Sequence, residues 1–371
     1  MPIIDQGYQH WAGKLSGHRW RWLAVTRHGV KIALRSYFLR YVLLAAWAPA
    51  LVLVTTLSAW GLVERKSKIA HMFIEFMRFM NPGVIANPRY YRAEVWRLAY
   101  GYFFHVELFF AMILILLVGP GLISRDLRVN ALPLYFSRPL RRIDYFLGKL
   151  GVVATFLGMV LILPAIVAYI FGLLFSVDLG VVRDTFGILV GAVAYGLLIC
   201  VSAGMLILAL SALSRNSRYV ALLWLGLWFV GNVVSSVLTG VHHQQRYAYH
   251  HPPPAYHVRL ANTQPPPAWS AMPSASGVAA QEHSVTTSRN WRPLLSYTGN
   301  LSRVGAHLLG VNEAWIKLAK LEPTASGRRR LLTRFGGPWY PWYWSAAVLA
   351  GLLGLSLCIL NLSIRALDRL K

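Results

Sequence analysis

Six long apolar runs, separated by polar segments, dominate the sequence. Each holds about 20 or more residues with almost no charge, which is enough to cross a hydrocarbon core of about 30 Å as an α-helix. The pattern therefore predicts an all-α polytopic membrane protein with six transmembrane helices. The predicted spans are 41–63, 101–123, 150–175, 185–211, 219–240 and 342–362.

The predicted spans divide the chain into four parts. Residues 1–40 form an arm, and 41–240 form a five-helix membrane portion that includes a link at 124–149. Residues 241–341 form a long loop that is rich in Pro and His at first and amphipathic later, and 342–371 hold the sixth span and a short tail. In the amphipathic part we expect one helix on the outer mouth of the bundle, because apolar residues recur at helical spacing: Leu301, Val304, Leu308, Leu309, Trp315 and Ile316.

The arm has the pattern of an amphipathic helix. Between His18 and Tyr41, apolar residues recur at helical spacing, while Arg27, Lys31 and Arg35 stand four residues apart. A helix of this kind lies in the membrane interface, with its aromatic rings at headgroup depth and its basic side chains towards anionic lipid. A generic surface anchor is the alternative interpretation.

The charge balance is strongly basic, with 37 Lys and Arg against 13 Asp and Glu and a formal net charge of +24. Such a balance could indicate nucleic-acid binding, but these charges flank apolar spans instead of lining a soluble face. We therefore expect membrane lipid, and no nucleic acid, around this chain.

The distribution of Lys and Arg also predicts an orientation. The arm, the link, the turn 212–218 and the tail from 363 fall on one side of a six-span bundle and are rich in basic residues. The positive-inside rule places them, and both termini, in the cytoplasm. The basic residues between 64 and 100 count against this orientation.

The link between spans two and three is the most informative segment. After Gly119-Pro120-Gly121 it presents three charged residues, an apolar patch and a further basic group. An apolar patch rimmed by charge on a short link is typical of a surface that binds another protein. The residues of this predicted surface are Arg125, Asp126, Arg128, Leu134, Tyr135, Phe136, Arg138, Pro139 and Tyr145.

Within this link the strings GLISRDLR, ALPLYFSRPL and IDYFLGK resemble the cytoplasmic region of ABC type-2 transporter permeases, the membrane subunits of ATP-binding-cassette exporters. The strings VWRLAYGYFF, before span two, and LLSYTGNLSRVGAHLLGV, before the last span, are similar to that family as well. The resemblance covers most of the chain except 241–290.

The resemblance implies a half-transporter and not an enzyme. Two permease copies, or two related permeases, would enclose a path as a dimer in the cell membrane of a bacterium. Cytoplasmic ATPase subunits carrying ATP and Mg²⁺ would drive it through the link, and this chain itself would bind no cofactor. In agreement, Gly-Lys occurs only at Gly13-Lys14 and Gly148-Lys149, and neither fits the GxxxxGK[ST] loop that binds nucleotide phosphates.

Glu107 is the only acidic residue inside a predicted span, two residues from His105. A carboxyl group in lipid should be neutral, paired or facing a polar path. Substrate contact or proton coupling is one interpretation, and a structural pair with Arg92, Arg97 or His105 is the other. Asn232 in span five is a weaker candidate, since such amides commonly bond between helices.

Two further functional hypotheses stay open. A membrane enzyme or a metal-handling protein would use Glu107 and the loop histidines His242, His243, His250, His251 and His257, although no thiolate or carboxylate completes a four-ligand metal set. A transporter driven by an ion gradient would need more ionisable groups in the membrane. The sequence predicts neither the substrate nor the direction of transport.

Overall fold

The computed structural model describes residues 20–65, 84, 87–131, 141–176, 180–250, 291–321, 327–328 and 340–368, of which 142, 243–250 and 364–368 by their backbone alone. These ranges are helical and contain no strand. Two π-helical turns, Gly158–Ile162 and Gly226–Val230, interrupt α-helical stretches, and a 3-10 turn, Arg292–Leu295, precedes the helix that begins at Tyr297. The α-helices are α1 (Arg21–Ala33), α2 (Tyr37–Glu64), α3 (Arg92–Val118), α4 (Gly121–Arg128), α5 (Arg142–Leu157), α6 (Leu163–Phe175), α7 (Gly180–Leu213), α8 (Ser217–Leu225), α9 (Gly231–His250), α10 (Tyr297–Leu308), α11 (Val311–Ala319) and α12 (Trp342–Asp368).

The prediction of six transmembrane helices is confirmed. In the described part of the chain, six helical stretches are long and apolar enough to cross a membrane. Spans one to six are Tyr37–Glu64, Arg92–Arg128, Ile143–Phe175, Gly180–Leu213, Ser217–His242 and Trp342–Ser363. We call the end of the bundle that carries α4 and the turn between spans four and five the link end.

The arm differs from the prediction of one helix between His18 and Tyr41. Helix α1 ends at Ala33, and Ser36 caps the next helix by accepting a hydrogen bond from the Leu39 N–H at 3.4 Å. Serine competes with helical hydrogen bonds inside a helix but stabilises a helix start. Tyr37 and Phe38 therefore belong to span one. The location of α1 in a membrane interface stays a prediction.

Proline and glycine shape two of the spans. Gly119 and Pro120 separate α3 from α4, as expected for a residue that lacks a backbone donor. In span three, Pro164 lies directly after the π-helical turn Gly158–Ile162, where the backbone widens because the proline donates no hydrogen bond.

Span four is the helix around which other elements pack, and small residues let them approach. A Cβ atom at Gly191 would lie 2.5 Å from the Leu308 carbonyl oxygen, and one at Gly196 would lie 2.6 Å from Ile162. Glycine at these two positions therefore permits close contact between neighbouring helices. Gly187, on the same helix, has nothing within 4 Å of a built Cβ.

The prediction of one amphipathic helix at the outer mouth is wrong, because 297–319 holds two helices. Gly310, with φ of 67°, breaks the chain between α10 and α11. Helix α10 runs beside span four instead of covering only its end. The Tyr297 hydroxyl, at the start of α10, lies 3.1 Å from the Ser202 hydroxyl of α7. Ser202 is roughly 33 Å from the first residue of α7, at a rise of about 1.5 Å per residue, so this contact is far from the start of span four.

We predict that Gly191→Ala destabilises the bundle while Gly187→Ala does not. A methyl group at position 191 would push against the backbone of α10, a rigid neighbour, and should cost about 1–3 kcal/mol. The measurement is thermal unfolding of the purified protein in detergent, where Gly191→Ala should lower the midpoint by several degrees. Equal midpoints for the two variants would contradict the close packing of α10 on span four.

Candidate functional site at the link

The link begins at a break in span two that a serine of span four holds in place. The Ser211 hydroxyl accepts hydrogen bonds from the Ile123 and Ser124 N–H groups, both at 3.0 Å, and donates to the Pro120 carbonyl at 2.9 Å. Ser211 and Ser124 are fully buried. The hydroxyl thus satisfies backbone groups that the first turn of α4 leaves without helical partners.

The other end of α4 is bound to span three through Asp126. Its carboxylate accepts a hydrogen bond from the Tyr145 hydroxyl at 2.7 Å and pairs with the Lys149 ammonium at 2.8 Å. The Asp126 and Lys149 side chains are each 15% exposed, so water screens the pair only partly. Lys149 also lies over the Tyr145 ring. The structure therefore brings together two predicted link residues, Asp126 and Tyr145.

The sequence reasoning missed Lys149, Ser211 and Thr26 as residues that position the link. Lys149 follows Tyr145 by four residues, a spacing that places both on one face of α5 and could have indicated a shared partner. Ser211 gives no comparable signal, because a lone serine in an apolar span usually bonds within its own helix.

Helix α1 packs on the first half of span three, next to the link. The Thr26 hydroxyl donates a hydrogen bond to the Gly148 carbonyl at 3.0 Å, and Thr26 is buried. A Cβ at Gly151 would lie in contact with the same threonine. The arm helix is therefore bound to the helix that carries Tyr145 and Lys149.

The remaining predicted link residues divide into two groups. Arg125 and Arg128 are exposed on α4, and the apolar Val129 and Ile143 beside them are also exposed, at 68% and 69%. The second group lies outside the described residues, and its role stays a prediction: Leu134, Tyr135, Phe136, Arg138 and Pro139.

The structure does not place Glu107 in any of the predicted pairs. Glu107 is fully buried, and neither carboxylate oxygen has a hydrogen-bond partner among the described residues, whereas His105 is exposed. The two arginines pair with other acids. Arg92 bonds Glu64 through two nitrogens and lies 3.5 Å from Asp184, and Arg97 lies 3.5 Å from Glu313.

Asn232 forms a polar contact between span five and the turn that precedes α10. Its side-chain oxygen accepts hydrogen bonds from the Ser296 hydroxyl and, at 2.8 Å, from the Thr298 hydroxyl. Its amide donates to the Trp228 carbonyl at 2.7 Å, within the π-helical turn Gly226–Val230. Asn232 therefore has a structural role, because it joins span five to the turn before α10 by hydrogen bonds.

The loop histidines lie mostly beyond the described side chains, with only His242 inside them. Across the described side chains, no three His, Cys, Asp or Glu residues come together in a way that could hold a metal ion. The metal hypothesis for this loop stays a prediction.

Six apolar spans and a link bound to two of them define a multi-pass membrane protein. The chain matches the family model described as ABC-2 family transporter protein over residues 29–304, so it belongs to the ABC-2 transporter family. It is thus a permease of an ABC transporter, a transport subunit rather than an enzyme, in a family whose members act with ABC ATPase subunits. A comparison with curated proteins gave no match.

We predict that Asp126→Asn lowers stability, because it removes the ion pair with Lys149 and weakens the hydrogen bond from Tyr145. Loss of such charge-assisted contacts costs about 1–3 kcal/mol. The measurement is thermal unfolding in detergent, with Asp144→Asn as the matched control on the neighbouring helix. A smaller loss in a Tyr145→Phe background than in wild type would show that the two side chains act together. Equal stability of Asp126→Asn and the control would argue against the contact.

Proposed function

We propose that this chain is the membrane-spanning half of an ABC exporter, and that its link, residues 124–149, docks in a cleft of a cytoplasmic ATPase subunit. The observation that carries the proposal is the attachment of α4, the first helix of the link, at both of its ends: to span four through Ser211 and to the start of span three through Asp126. Buried, fully hydrogen-bonded contacts hold their partners in one geometry. A displacement of α4 therefore moves the ends of both spans with it.

The exposed side of α4 supports the assignment of this end as the docking surface. Arg125 and Arg128 project from it, and the exposed apolar Val129 follows Arg128 directly. Ile143, in the first turn of α5, is a further exposed apolar residue. The segment 132–140 continues this composition with Leu134, Tyr135 and Phe136. Apolar groups at the centre and arginines at the rim are common in protein interfaces.

The energy source lies in the partner. The chain contains no glycine-rich loop for nucleotide phosphates. In this proposal, ATP and Mg²⁺ are bound by the ATPase subunit. The conformational change that follows nucleotide binding is transmitted to this chain through the docked link. The family assignment supports this division of labour.

The functional unit in this proposal is a dimer of permeases in a bacterial cell membrane, with both termini and the link in the cytoplasm. The large apolar side chains on the outside of the spans suit contact with lipid or with the second permease. Leu44, Leu51 and Leu222 are 70%, 63% and 63% exposed in the isolated chain. The substrate crosses between the two permeases.

We predict that charge reversal on the link releases the ATPase. The protein, purified by a tag from membranes of its own cells, should carry a soluble ATPase with a GxxxxGK[ST] loop, identified by mass spectrometry. Arg128→Glu and Arg138→Glu should reduce the bound ATPase at least tenfold, because each places a negative charge in the proposed interface.

The matched control for this experiment is Arg183→Glu. Arg183 is exposed at the opposite end of span four, where the proposal places no ATPase. Retention of the ATPase by the link variants, or equal loss in the control, would contradict docking at the link.

A further inference from the structure

Glu107 is a carboxyl group enclosed by apolar side chains in the middle of the bundle. It is 0% exposed, and neither of its oxygens has a hydrogen-bond partner in the part of the chain that the structure describes. The residues one helical turn away on α3, Phe103, Phe104 and Ala111, are buried as well. Glu107 is thus shielded from bulk solvent, and no described residue forms an ion pair with it.

The elements packed against α3 are α2, α5, α7, α8, α10, α11 and the turn Gly158–Ile162, with α6 touching Trp96. Several titratable side chains buried on these elements are phenols and a thiol, and the buried Glu64 on α2 is paired with Arg92. Together with one phenol on α3 itself, the buried phenols and the thiol are Tyr100, Tyr169, Tyr195, Cys200 and Tyr297.

The ionised side chains on these elements are engaged with other partners or lie at exposed ends. Arg40, Arg183 and Arg218 are exposed, and Asp144 lies at the start of α5. Arg303 donates through Nη2 to the Tyr340 carbonyl, while its buried Nε and Nη1 have no hydrogen-bond partner among the described residues. Asp184 lies 3.5 Å from Arg92. The acid–base pairs are Glu64 with Arg92, Glu94 with Lys317, Arg97 with Glu313, and Asp126 with Lys149.

An ionised carboxylate in this position would lack any compensation for its lost hydration. The desolvation cost of an unpaired buried charge far exceeds the cost of a neutral acid that leaves hydrogen bonds unmade. The neutral, protonated form is the one compatible with the described geometry.

We propose that Glu107 is a proton-binding site that is occupied in this conformation, and that an opening of the bundle which admits water to Glu107 releases the proton. A cavity of about 320 Å³ lies beside α3. Phe104 and His105 are among its lining residues, and Phe104 lies one turn from Glu107, which does not itself line the cavity. This proposal does not rest on ATPase docking.

A proton bound in the folded chain and released from the unfolded chain makes the stability of the protein depend on pH. An exposed glutamate loses its proton at a pH of about 4.3. If Glu107 holds its proton as proposed, then above that pH, and until Glu107 itself ionises, the described conformation keeps a proton that the unfolded chain has released. Its stability relative to the unfolded chain therefore falls as pH rises, by about tenfold in the folding equilibrium constant per pH unit.

The test is infrared spectroscopy of the full-length protein at pH 8 in dodecyl maltoside, a detergent without ester carbonyl groups, which would absorb in the same region as a protonated carboxyl group. A protonated carboxyl group has a carbonyl stretching band that a carboxylate lacks, and wild type should show this band. Glu107→Gln should remove it. Glu94→Gln should leave it unchanged, because Glu94 is also buried on α3 but pairs with Lys317 at 2.6 Å. A wild-type spectrum without the band, or a band that survives Glu107→Gln, would overturn the proposal.

A second measurement compares unfolding midpoints at pH 6 and pH 9. Wild type should lose stability across this range relative to Glu107→Gln, which keeps the shape but cannot ionise. If the glutamine variant does not fold, Glu107→Met provides an uncharged side chain of similar length. The presence or absence of the infrared band in wild type also tests whether a protonated carboxyl group exists, without any variant. Parallel pH profiles of wild type and the neutral variant would refute the linkage.

Discussion

The hydroxyl group of Ser211 is the contact on which the organisation of the link end depends. Through three hydrogen bonds, to the carbonyl of Pro120 and the N–H groups of Ile123 and Ser124, it holds the break in span two against span four. Without it, the buried N–H groups of Ile123 and Ser124 would lose the acceptor that Ser211 provides, and the Pro120 carbonyl would keep only the bond from the Ser124 hydroxyl. The same bonds fix the direction in which α4 leaves the bundle.

The second attachment joins α4, the end of span two, to the start of span three, through the contacts of Asp126 with Tyr145 and Lys149. Helix α1 is attached to the same part of span three, because the Thr26 hydroxyl donates a hydrogen bond to the Gly148 carbonyl. The two described ends of the link, α4 and the first turns of α5, are therefore part of the bundle's packing. This is the physical basis for expecting that binding of an ATPase subunit at α4 alters the arrangement of spans two, three and four together.

Hydropathy predicted all six spans, because a lipid solvent demands long apolar helices and leaves few alternatives. The break at Pro120 was also predictable, since proline lacks a donor. Asp126 and Tyr145 were found through their composition and the family resemblance, but Ser211 was not, because its partners are 87 or more residues away in the sequence. The division of the arm at Ser36 depends on a cap, and the path of α10 depends on tertiary contacts with span four, neither of which periodicity reveals.

The central claim is that the exposed face of α4 is the surface that an ATPase subunit contacts. The most direct measurement is site-specific photo-crosslinking in native membranes, with a photoreactive amino acid at position 128 and, in a separate protein, at position 183. We expect a crosslinked product containing a soluble ATPase from position 128 and none from position 183. No ATPase product at position 128, or equal yields at both positions, would contradict the claim.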